Sequence, residues 1–228
     1  MESRVVGRQV ALVKKNIEAS NSSRTFYAKL CMYDEKRNYY VCSFGGCGSW
    51  MLCNYLHQFG NVHHIHARYP PKKLTYPVCV DGTNDKIFGE VVIPPHDILN
   101  HYVIYIYRNP IHAIYSRFHM PEHLKNIGCN PNLTLTQVIH SKKDLYGIRH
   151  FYDNYKEPLR NYKILFVKYE DLFQHIEGFN SILKLPNIKE LYMTNNQTVR
   201  NYPAYLQLSA IYKSLIAEMQ QNKPFMLL

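Results

Sequence analysis

The sequence predicts an α/β protein in which helices cover both faces of a central parallel sheet, and two observations carry this prediction. First, three segments, starting at Tyr39, Tyr102 and Tyr162, repeat one order: an apolar run, then turn or capping residues, then a helical pattern. Second, the apolar runs are rich in β-branched and aromatic residues and nearly continuous, as in strands buried on both faces. Such sheets bind ligands at the carboxyl ends of their strands, so the residues after each run are candidates for a site.

The individual elements follow from local patterns, because apolar runs predict strands, helical spacing predicts helices, and Gly, Pro and Asn predict loops. The first half of the chain predicts a strand at 39–44, a glycine turn, a helix at 51–56, a short strand at 62–66, a loop at 68–71, and an irregular region at 75–100 with strand pieces such as 90–93. The second half predicts a strand at 102–108, a helix at 111–118, a long loop at 120–136, a helix at 145–159, a strand at 162–169, a helix from 170 to about 183 and a closing helix at 202–221.

The composition is that of a basic globular protein. The 228 residues carry a formal charge of +10, and 46% of them are hydrophobic, which suffices for a single domain over residues 1–228. No apolar stretch approaches the roughly 18 residues of a membrane-spanning helix, and the amino terminus lacks the apolar core of a secretory signal. These features predict a soluble, cytoplasmic protein.

The surplus of positive charge predicts an anionic partner. Nucleic acid is the default partner of a basic protein, but no run of Lys or Arg exceeds two residues, and no helix-turn-helix, zinc-finger or ribonucleoprotein motif occurs. We therefore expect no nucleic-acid partner and favour a small polyanionic ligand.

The glycine-rich turn after the first strand is the first candidate for an anion site. Gly45, Gly46, Cys47, Gly48 and Ser49 lie between a strand and a helix, where glycines let the backbone wrap an anion and the helix start directs free amides at it. The alternative is a tight glycine turn without a ligand. The chain has no G-x-x-x-x-G-K-[ST] motif and the turn has no Lys, which disfavours ATP or GTP hydrolysis.

A second candidate anion site follows the next long strand. Arg108 ends that strand, and Asn109 and Pro110 are good residues for starting a helix, because Asn caps free amides and Pro has no amide to satisfy. Ser116 comes eight residues after Arg108, on the helix, and is expected to face the same sheet edge. An Arg and a hydroxyl that converge there suit a second phosphate. The alternative is a structural ion pair for Arg108 and an ordinary helix-face serine.

Together these segments resemble the sulfotransferase family, whose sulfuryl donor is 3′-phosphoadenosine 5′-phosphosulfate (PAPS). Residues 41–56 are similar to the strand, loop and helix that bind the 5′-phosphosulfate, and Arg108-Asn109-Pro110 with Ser116 is similar to the family's 3′-phosphate motif. Residues 164–172 mirror the later strand that ends in Tyr-Glu-Asp, where Tyr169 is similar to the tyrosine near the adenine. The three segments occur in family order and span most of the chain.

The resemblance implies a P-loop NTPase-like sulfotransferase fold, with adenosine 3′,5′-bisphosphate (PAP) as product and no metal. It also implies a donor site made of Gly45, Gly46, Cys47, Gly48, Ser49, Trp50, Arg108, Ser116 and Tyr169. Trp50 stands either where the family has a tryptophan beside the adenine or where it has a hydroxyl residue, depending on the alignment.

The chain departs from the family pattern in two places. The family loop normally carries a Lys or Arg that stabilises charge on the phosphosulfate, and here Gly45 or Gly46 stands in its place. The carboxyl-terminal Arg-Lys-Gly segment of cytosolic members is absent, and Arg200 is one candidate substitute.

Sulfuryl transfer also needs a base that takes the proton of the acceptor. Many family members have a His or a Glu for this role after the strand that follows the first helix, where this chain has His63, His64 and His66. Alternation along a strand places His64 and His66 on one face with His66 nearer the loop, so His66 is the first candidate for the base. Arg68 is the candidate for the missing loop charge. The alternatives are a cluster of bystander histidines and a metal site, for which no carboxylate ligand is near.

Glu170 and Asp171 are alternative bases, but capping of the helix that begins there is the favoured role for both.

The sequence therefore predicts a PAPS-dependent sulfotransferase that acts on a hydroxyl or amine acceptor, such as an acidic glycan, a phenol or a small alcohol. Two alternatives remain open. One is a nucleotide enzyme of the P-loop kinase class, and the other is a sulfotransferase-like domain that binds a nucleotide or sulfated glycan without catalysis.

Overall fold

A seven-stranded sheet forms the centre of the structure. The computed structural model describes residues 37–80, 86–118, 125, 127–186 and 204–228, and the unit from Arg37 to Leu228 is compact. The sequence predicts a single domain over residues 1–228. The first 36 of these residues lie outside the described part of the chain, so the single domain stays a prediction. The strands are β1 (Asn38–Cys42), β2 (Asn61–Ile65), β3 (Thr75–Cys79), β4 (Lys86–Val92), β5 (His101–Tyr107), β6 (Ile164–Lys168) and β7 (Phe225–Leu227).

The order of the strands creates a reversal beside β1. The sheet runs β3-β4-β2-β1-β5-β6-β7, and the five inner strands pair in parallel while β3 and β7 pair antiparallel at the two edges. From β1 the chain proceeds to β2 on one side, whereas β5 and β6 lie on the other side. The direction of winding therefore reverses between β1 and β5, and open α/β sheets commonly bind ligands at the carboxyl ends of the strands beside such a reversal.

Eight α-helices and one short 3-10 helix connect the strands within the described part of the chain. The α-helices are α1 (Ser49–Leu56), α2 (Pro110–Phe118), α3 (Leu135–Ser141), α4 (Ile148–Lys156), α5 (Tyr169–Leu172), α6 (Ile176–Leu183), α7 (Tyr205–Ile211) and α8 (Lys213–Gln221), and the 3-10 helix is Ile98–Asn100. None of the described helices is long and apolar enough to cross a membrane.

Aromatic side chains fill the core between the sheet and α4. Tyr105 of β5 stacks on Tyr155 with ring centroids 4.3 Å apart, and its ring edge meets Phe166 of β6 at 5.0 Å. Phe151 of α4 stacks on Tyr155 and meets the edge of Phe44. Because aromatic pairs add about 0.5–1.5 kcal/mol each beyond the area they bury, this cluster stabilises the packing of α4 against β5 and β6.

The α/β class and the mostly parallel sheet are confirmed, and the differences lie at the edges. The region predicted to be irregular contains an antiparallel pair of strands, β3 and β4. The predicted long loop at 120–136 ends in α3, which starts with a capping box between Thr134 and Gln137. The closing helix is divided at Tyr212, whose backbone leaves the helical range and whose hydroxyl donates to Asp144 Oδ1 at 2.7 Å.

Candidate functional site

The turn after β1 has the backbone that its glycines predict. Gly45, Gly46 and Gly48 have φ values of 102°, 65° and 80°, all in the left-handed region that side chains disfavour. Gly48 is the N-cap of α1, which begins at Ser49 and runs for eight residues. Successive amides in such a turn, followed by a helix start, form a concave surface that suits an anion.

Two of these glycines also let neighbouring elements approach the turn. A Cβ atom on Gly46 would lie 2.6 Å from the carbonyl oxygen of Ala113 and 2.9 Å from the Cβ of Ser116. A Cβ atom on Gly48 would lie 2.3 Å from the ring of Tyr169. Helix α2 and Tyr169 therefore pack directly against the turn, so the structure brings Ser116 and Tyr169 to the loop as the sequence predicts.

Replacement of Gly48 by alanine should destabilise the fold by about 2–4 kcal/mol, because the left-handed backbone disfavours a Cβ and the Tyr169 ring occupies its place. Urea denaturation measures this change. The control is Gly178→Ala within α6, where the new Cβ would make an ordinary 3.5 Å contact with Phe225, so a gain of about 0.5–1 kcal/mol is expected. Equal midpoints for the two variants would contradict the packing described for the turn.

Arg108 is a half-buried cation at the carboxyl end of β5. Its Nη1 donates to the carbonyl oxygen of Gly46 at 3.4 Å, and its guanidinium lies 4.5 Å from the centroid of the Tyr169 ring. The buried Nε has no hydrogen-bond partner, and no ion pair joins Arg108 to a carboxylate, among the described residues. Most of its donors are therefore available to an anion placed beside the turn.

The segment around Asn109 fixes the backbone of Arg108. Asn109 Oδ1 accepts a hydrogen bond from the amide of Ile111 at 3.0 Å, which confirms the predicted cap of α2. Glu170 Oε1 accepts from the amide of Asn109 at 2.9 Å, and Asp171 forms a 2.9 Å ion pair with Lys168. Glu170 and Asp171 lie in the first turn of α5, where they were predicted, but this helix has no side-chain capping hydrogen bond, and Glu170 binds the β5–α2 turn instead.

A chain of polar side chains crosses from β1 through the turn to β2. Ser43 Oγ donates to Ser49 Oγ at 3.1 Å, and Ser49 Oγ lies 2.8 Å from Nε2 of His64. Ser43 is fully buried and Ser49 is 5% exposed. The contact between Ser49 and His64 follows from the register of β1 and β2, in which Val41 pairs with His64. Ser43 was not a predicted site residue, although a polar residue between a buried strand and a glycine run was a signal for it.

His66 and Trp50 flank His64. The rings of His64 and His66 have centroids 4.3 Å apart, so the two side chains share a face as the alternation predicts. His66 is 2% exposed, whereas His64 is half-buried and directly contacts the turn. Trp50 is 67% exposed and its ring centroid lies 6.4 Å from that of His64. The choice of His66 as base stays a prediction, since the geometry brings His64 rather than His66 to Ser49.

His63 occupies the opposite face of β2. Its Nδ1 lies 2.9 Å from Nζ of Lys86, and burial, followed by the charges of Lys86, His101 and His57, lowers the pKa of His63 to about 4. Because His63 points away from His64 and His66, the three histidines do not converge. No group of three or more metal-ligating side chains occurs within the part of the chain that the structure describes.

Two histidines should make the protein less stable in mild acid. Burial and the charge of Arg108 lower the pKa of His112 to about 4, as burial and Lys86 do for His63. Below pH 6.5 the unfolded chain binds protons that the folded chain excludes until about pH 4. The free energy of unfolding should therefore fall across this window, by at most about 1.4 kcal/mol per pH unit for each histidine.

Urea denaturation between pH 7.5 and pH 4 measures this dependence. The variants His63→Gln and His112→Gln should each show a shallower fall than the parent protein, because each removes one proton-linked group. Identical pH profiles for the parent and both variants would contradict the proposed linkage.

Arg68 does not contact the turn. Its guanidinium donates to the carbonyl oxygens of Ile127, Gly147 and Tyr146 and to Sγ of Cys129, at distances of 3.0–3.4 Å. These contacts hold the segment between α2 and α4 against the end of β2. Arg68 was expected to bring charge to the loop, and its donors are instead directed to this segment.

Cys47 and Arg200 are two further residues that the sequence predicts for the site. Cys47 is buried, and its Sγ donates to the carbonyl oxygen of Gly45 at 3.2 Å, so its contact to the turn is a local one. Arg200, the candidate substitute for the carboxyl-terminal basic segment, lies outside the described residues. The structure therefore brings together the 45–50 turn, Arg108, Ser116, Tyr169 and His64.

No family model, no curated protein and no solved structure matches this chain.

Proposed function

We propose that this protein transfers a sulfuryl group from PAPS to a hydroxyl or amine acceptor, on a P-loop-like sulfotransferase fold. The observation that carries the proposal is Arg108, a half-buried guanidinium whose Nε has no partner among the described residues and which lies beside the glycine turn. A buried cation without a carboxylate partner is costly, and an anionic ligand offsets that cost.

The donor has two anionic ends, and the site offers two neighbouring anion-binding features. The amides of the glycine turn and the start of α1 suit the 5′-phosphosulfate, with Ser49 at the first position of the helix. Arg108 and the exposed Ser116 suit the 3′-phosphate, because both lie against Gly46. The exposed Trp50 presents aromatic surface that suits an adenine ring, whereas Tyr169, the predicted neighbour of the adenine, is 7% exposed and its ring lies under the Arg108 guanidinium.

The turn has no lysine or arginine to balance charge on the leaving phosphate. The amides of the turn and the dipole of α1 supply positive potential there, and both are oriented before any ligand binds. Amides and a helix dipole stabilise negative charge on the leaving phosphate less than a cation at the same position would. We therefore expect turnover to be slower than at a site that contains a lysine.

His64 is the best-placed group for proton transfer, because Nε2 lies at the turn where the phosphosulfate would bind. His66, the base predicted from the sequence, packs against His64 and is nearly buried. The two assignments are separated by replacing each histidine in turn.

A domain that binds the nucleotide without catalysis is the second candidate, and the absence of a cation from the turn favours it. It predicts the same ligand preference but no transfer.

A transfer assay tests the proposal. The protein is incubated with PAPS labelled in the sulfuryl group, and the release of PAP and the labelling of 4-nitrophenol, small alcohols and desulfated glycans are followed. Acceptor-dependent release of PAP is expected. Tight binding of PAP without transfer to any acceptor would favour the binding-only domain.

A further inference from the structure

We infer that the acceptor is a neutral alcohol or phenol with an elongated apolar body, and that Ile87 and Val78 hold this body beside His64. These two aliphatic side chains are called the apolar strip below. The transfer step rests on the proposed function, whereas the position of the apolar strip follows from the pairing of the strands alone. An acidic glycan, the other kind of acceptor that the sequence allows, does not fit this surface.

The apolar strip lies on the same face of the sheet as His64. Strand β4 pairs with β2, and Nζ of Lys86 on β4 lies 2.9 Å from Nδ1 of His63 on β2. Lys86 and His63 therefore share one face of the sheet. The residues that follow them, Ile87 and His64, share the opposite face, because side chains alternate along a strand. Val78 of β3 pairs directly with Ile87, so both side chains lie on the face of His64.

The apolar strip is open to solvent and uncharged. Ile87 is 36% exposed and Val78 is 45% exposed. A Cβ atom on Gly89 would lie 2.8 Å from Cγ1 of Val78, so the glycine leaves this part of the surface without a further side chain. Among the described residues of β3 and β4, the charged side chains are Lys86, on the other face, and Glu90, three residues beyond Ile87. A neutral apolar molecule gains from burying this surface, whereas an acidic glycan meets no cation on it.

The apolar strip has a defined extent, because it crosses three neighbouring strands in the order β2, β4 and β3. Neighbouring strands are about 4.8 Å apart, so the path from His64 through Ile87 to Val78 covers roughly 10 Å, the length of an alkyl chain of roughly eight carbons. Strand β3 is the edge of the sheet, so a longer chain passes beyond the apolar strip.

An acceptor on the apolar strip has its hydroxyl at the imidazole of His64, which is half-buried at the turn. In the transfer, the acceptor oxygen forms a bond to sulfur while the bond from sulfur to the bridging oxygen breaks. PAP leaves with the electron pair, and the imidazole of His64 takes the acceptor proton.

Tryptophan fluorescence tests the apolar strip without PAPS. Trp50 is the single tryptophan of the chain, and its ring centroid lies 6.4 Å from that of His64. The protein is titrated with linear alcohols from 1-butanol to 1-decanol, and the emission of Trp50 is followed. We expect a saturable shift whose affinity rises about fourfold for each added methylene and levels off at roughly eight carbons. An affinity that does not depend on chain length would overturn the inference.

Serine variants locate the bound chain. Val78→Ser should weaken the binding of 1-octanol by about threefold to tenfold and leave 1-butanol unchanged, because the shorter chain ends at Ile87. Ile87→Ser should weaken both alcohols. Val92 is the matched control, since it is 45% exposed like Val78 but pairs with Thr75 at the other end of β4, so Val92→Ser should change neither affinity. Equal losses in all three variants would overturn the inference, and urea midpoints identify any variant that fails to fold.

A second arm adds PAPS and separates the inference from the proposed function. Release of PAP that is faster with 1-octanol than with ethanol, and that Val78→Ser slows, supports both. Transfer to a desulfated acidic glycan without any response to the alcohols overturns the inference and leaves the proposed function intact. A shift that depends on chain length without any binding of PAP overturns the proposed donor, while the apolar site stands. A dimer in sedimentation that Ile87→Ser dissociates would assign the apolar strip to a second copy of the chain and overturn the inference.

Discussion

Replacement of His64 by alanine should lower turnover of PAPS by about 10²–10⁴-fold, while the affinity for PAP changes little. The reason is the 2.8 Å contact between Nε2 of His64 and Ser49 Oγ, which places the imidazole at the turn where the sulfuryl group would be transferred. Release of PAP, followed at saturating donor with 4-nitrophenol as acceptor, measures the effect.

The same strand supplies the control. His63 lies on the opposite face of β2 and contacts Lys86 rather than the turn, so His63→Gln should leave turnover within about twofold of the parent protein. The variant His66→Ala tests the base that the sequence predicts. A large loss in His66→Ala with normal turnover in His64→Ala would assign the proton transfer to His66 instead.

Replacement of Arg108 by alanine should weaken the binding of PAP by about 10- to 150-fold, which is about 1.5–3 kcal/mol for a charge-assisted contact. Binding of 5′-AMP, which lacks the 3′-phosphate, should change little. We expect PAP and 5′-AMP to respond differently because the Arg108 guanidinium lies between Gly46 and the Tyr169 ring. Its Nε has no partner there among the described residues, so a 3′-phosphate would supply one. Isothermal titration calorimetry at one salt concentration measures both affinities.

The control for Arg108 must remove a positive charge without touching the site. Lys73 is exposed on the connection before β3, so Lys73→Ala should leave the ratio of the two affinities unchanged. Ser116→Ala should shift the same ratio in the direction of Arg108→Ala, and less strongly because a hydroxyl contributes no charge. Equal weakening of PAP and 5′-AMP by Arg108→Ala would refute the assignment of the 3′-phosphate to Arg108.

The features of the site that could be predicted are local in the sequence. The end of a buried strand, the Asn-Pro helix start and the glycine turn each depend on neighbouring residues, so the positions of Arg108 and Gly45–Gly48 follow from the sequence. The same is true of the α/β class, because continuous apolar runs require a sheet that is covered on both sides.

The features that could not be predicted depend on contacts between distant segments. The pairing of His64 with Ser49 requires β2 to lie directly beside β1 in a register that sets Val41 opposite His64. The position of Arg68 depends on carbonyl groups 59 to 79 residues away. No periodicity specifies which long side chain reaches which loop, so Arg68 was placed at the turn by proximity in sequence alone.

Strand β7, at one edge of the sheet, could not be predicted from the sequence either. Strand β7 has three residues, too few for a pattern, and it forms by pairing with β6 after Pro224. The capping box of α3 was a readable signal within the predicted loop, because Thr134 and Gln137 have the spacing of that motif.

The most direct test of the central claim is a calorimetric titration of the purified protein with PAP, 5′-AMP, ADP and ATP at one fixed salt concentration. We expect PAP to bind at least tenfold more tightly than the other nucleotides, a difference of about 1.4 kcal/mol or more. Absence of binding, or a preference for ATP, would contradict the proposal that the glycine turn and Arg108 form a site for a 3′-phosphorylated sulfuryl donor.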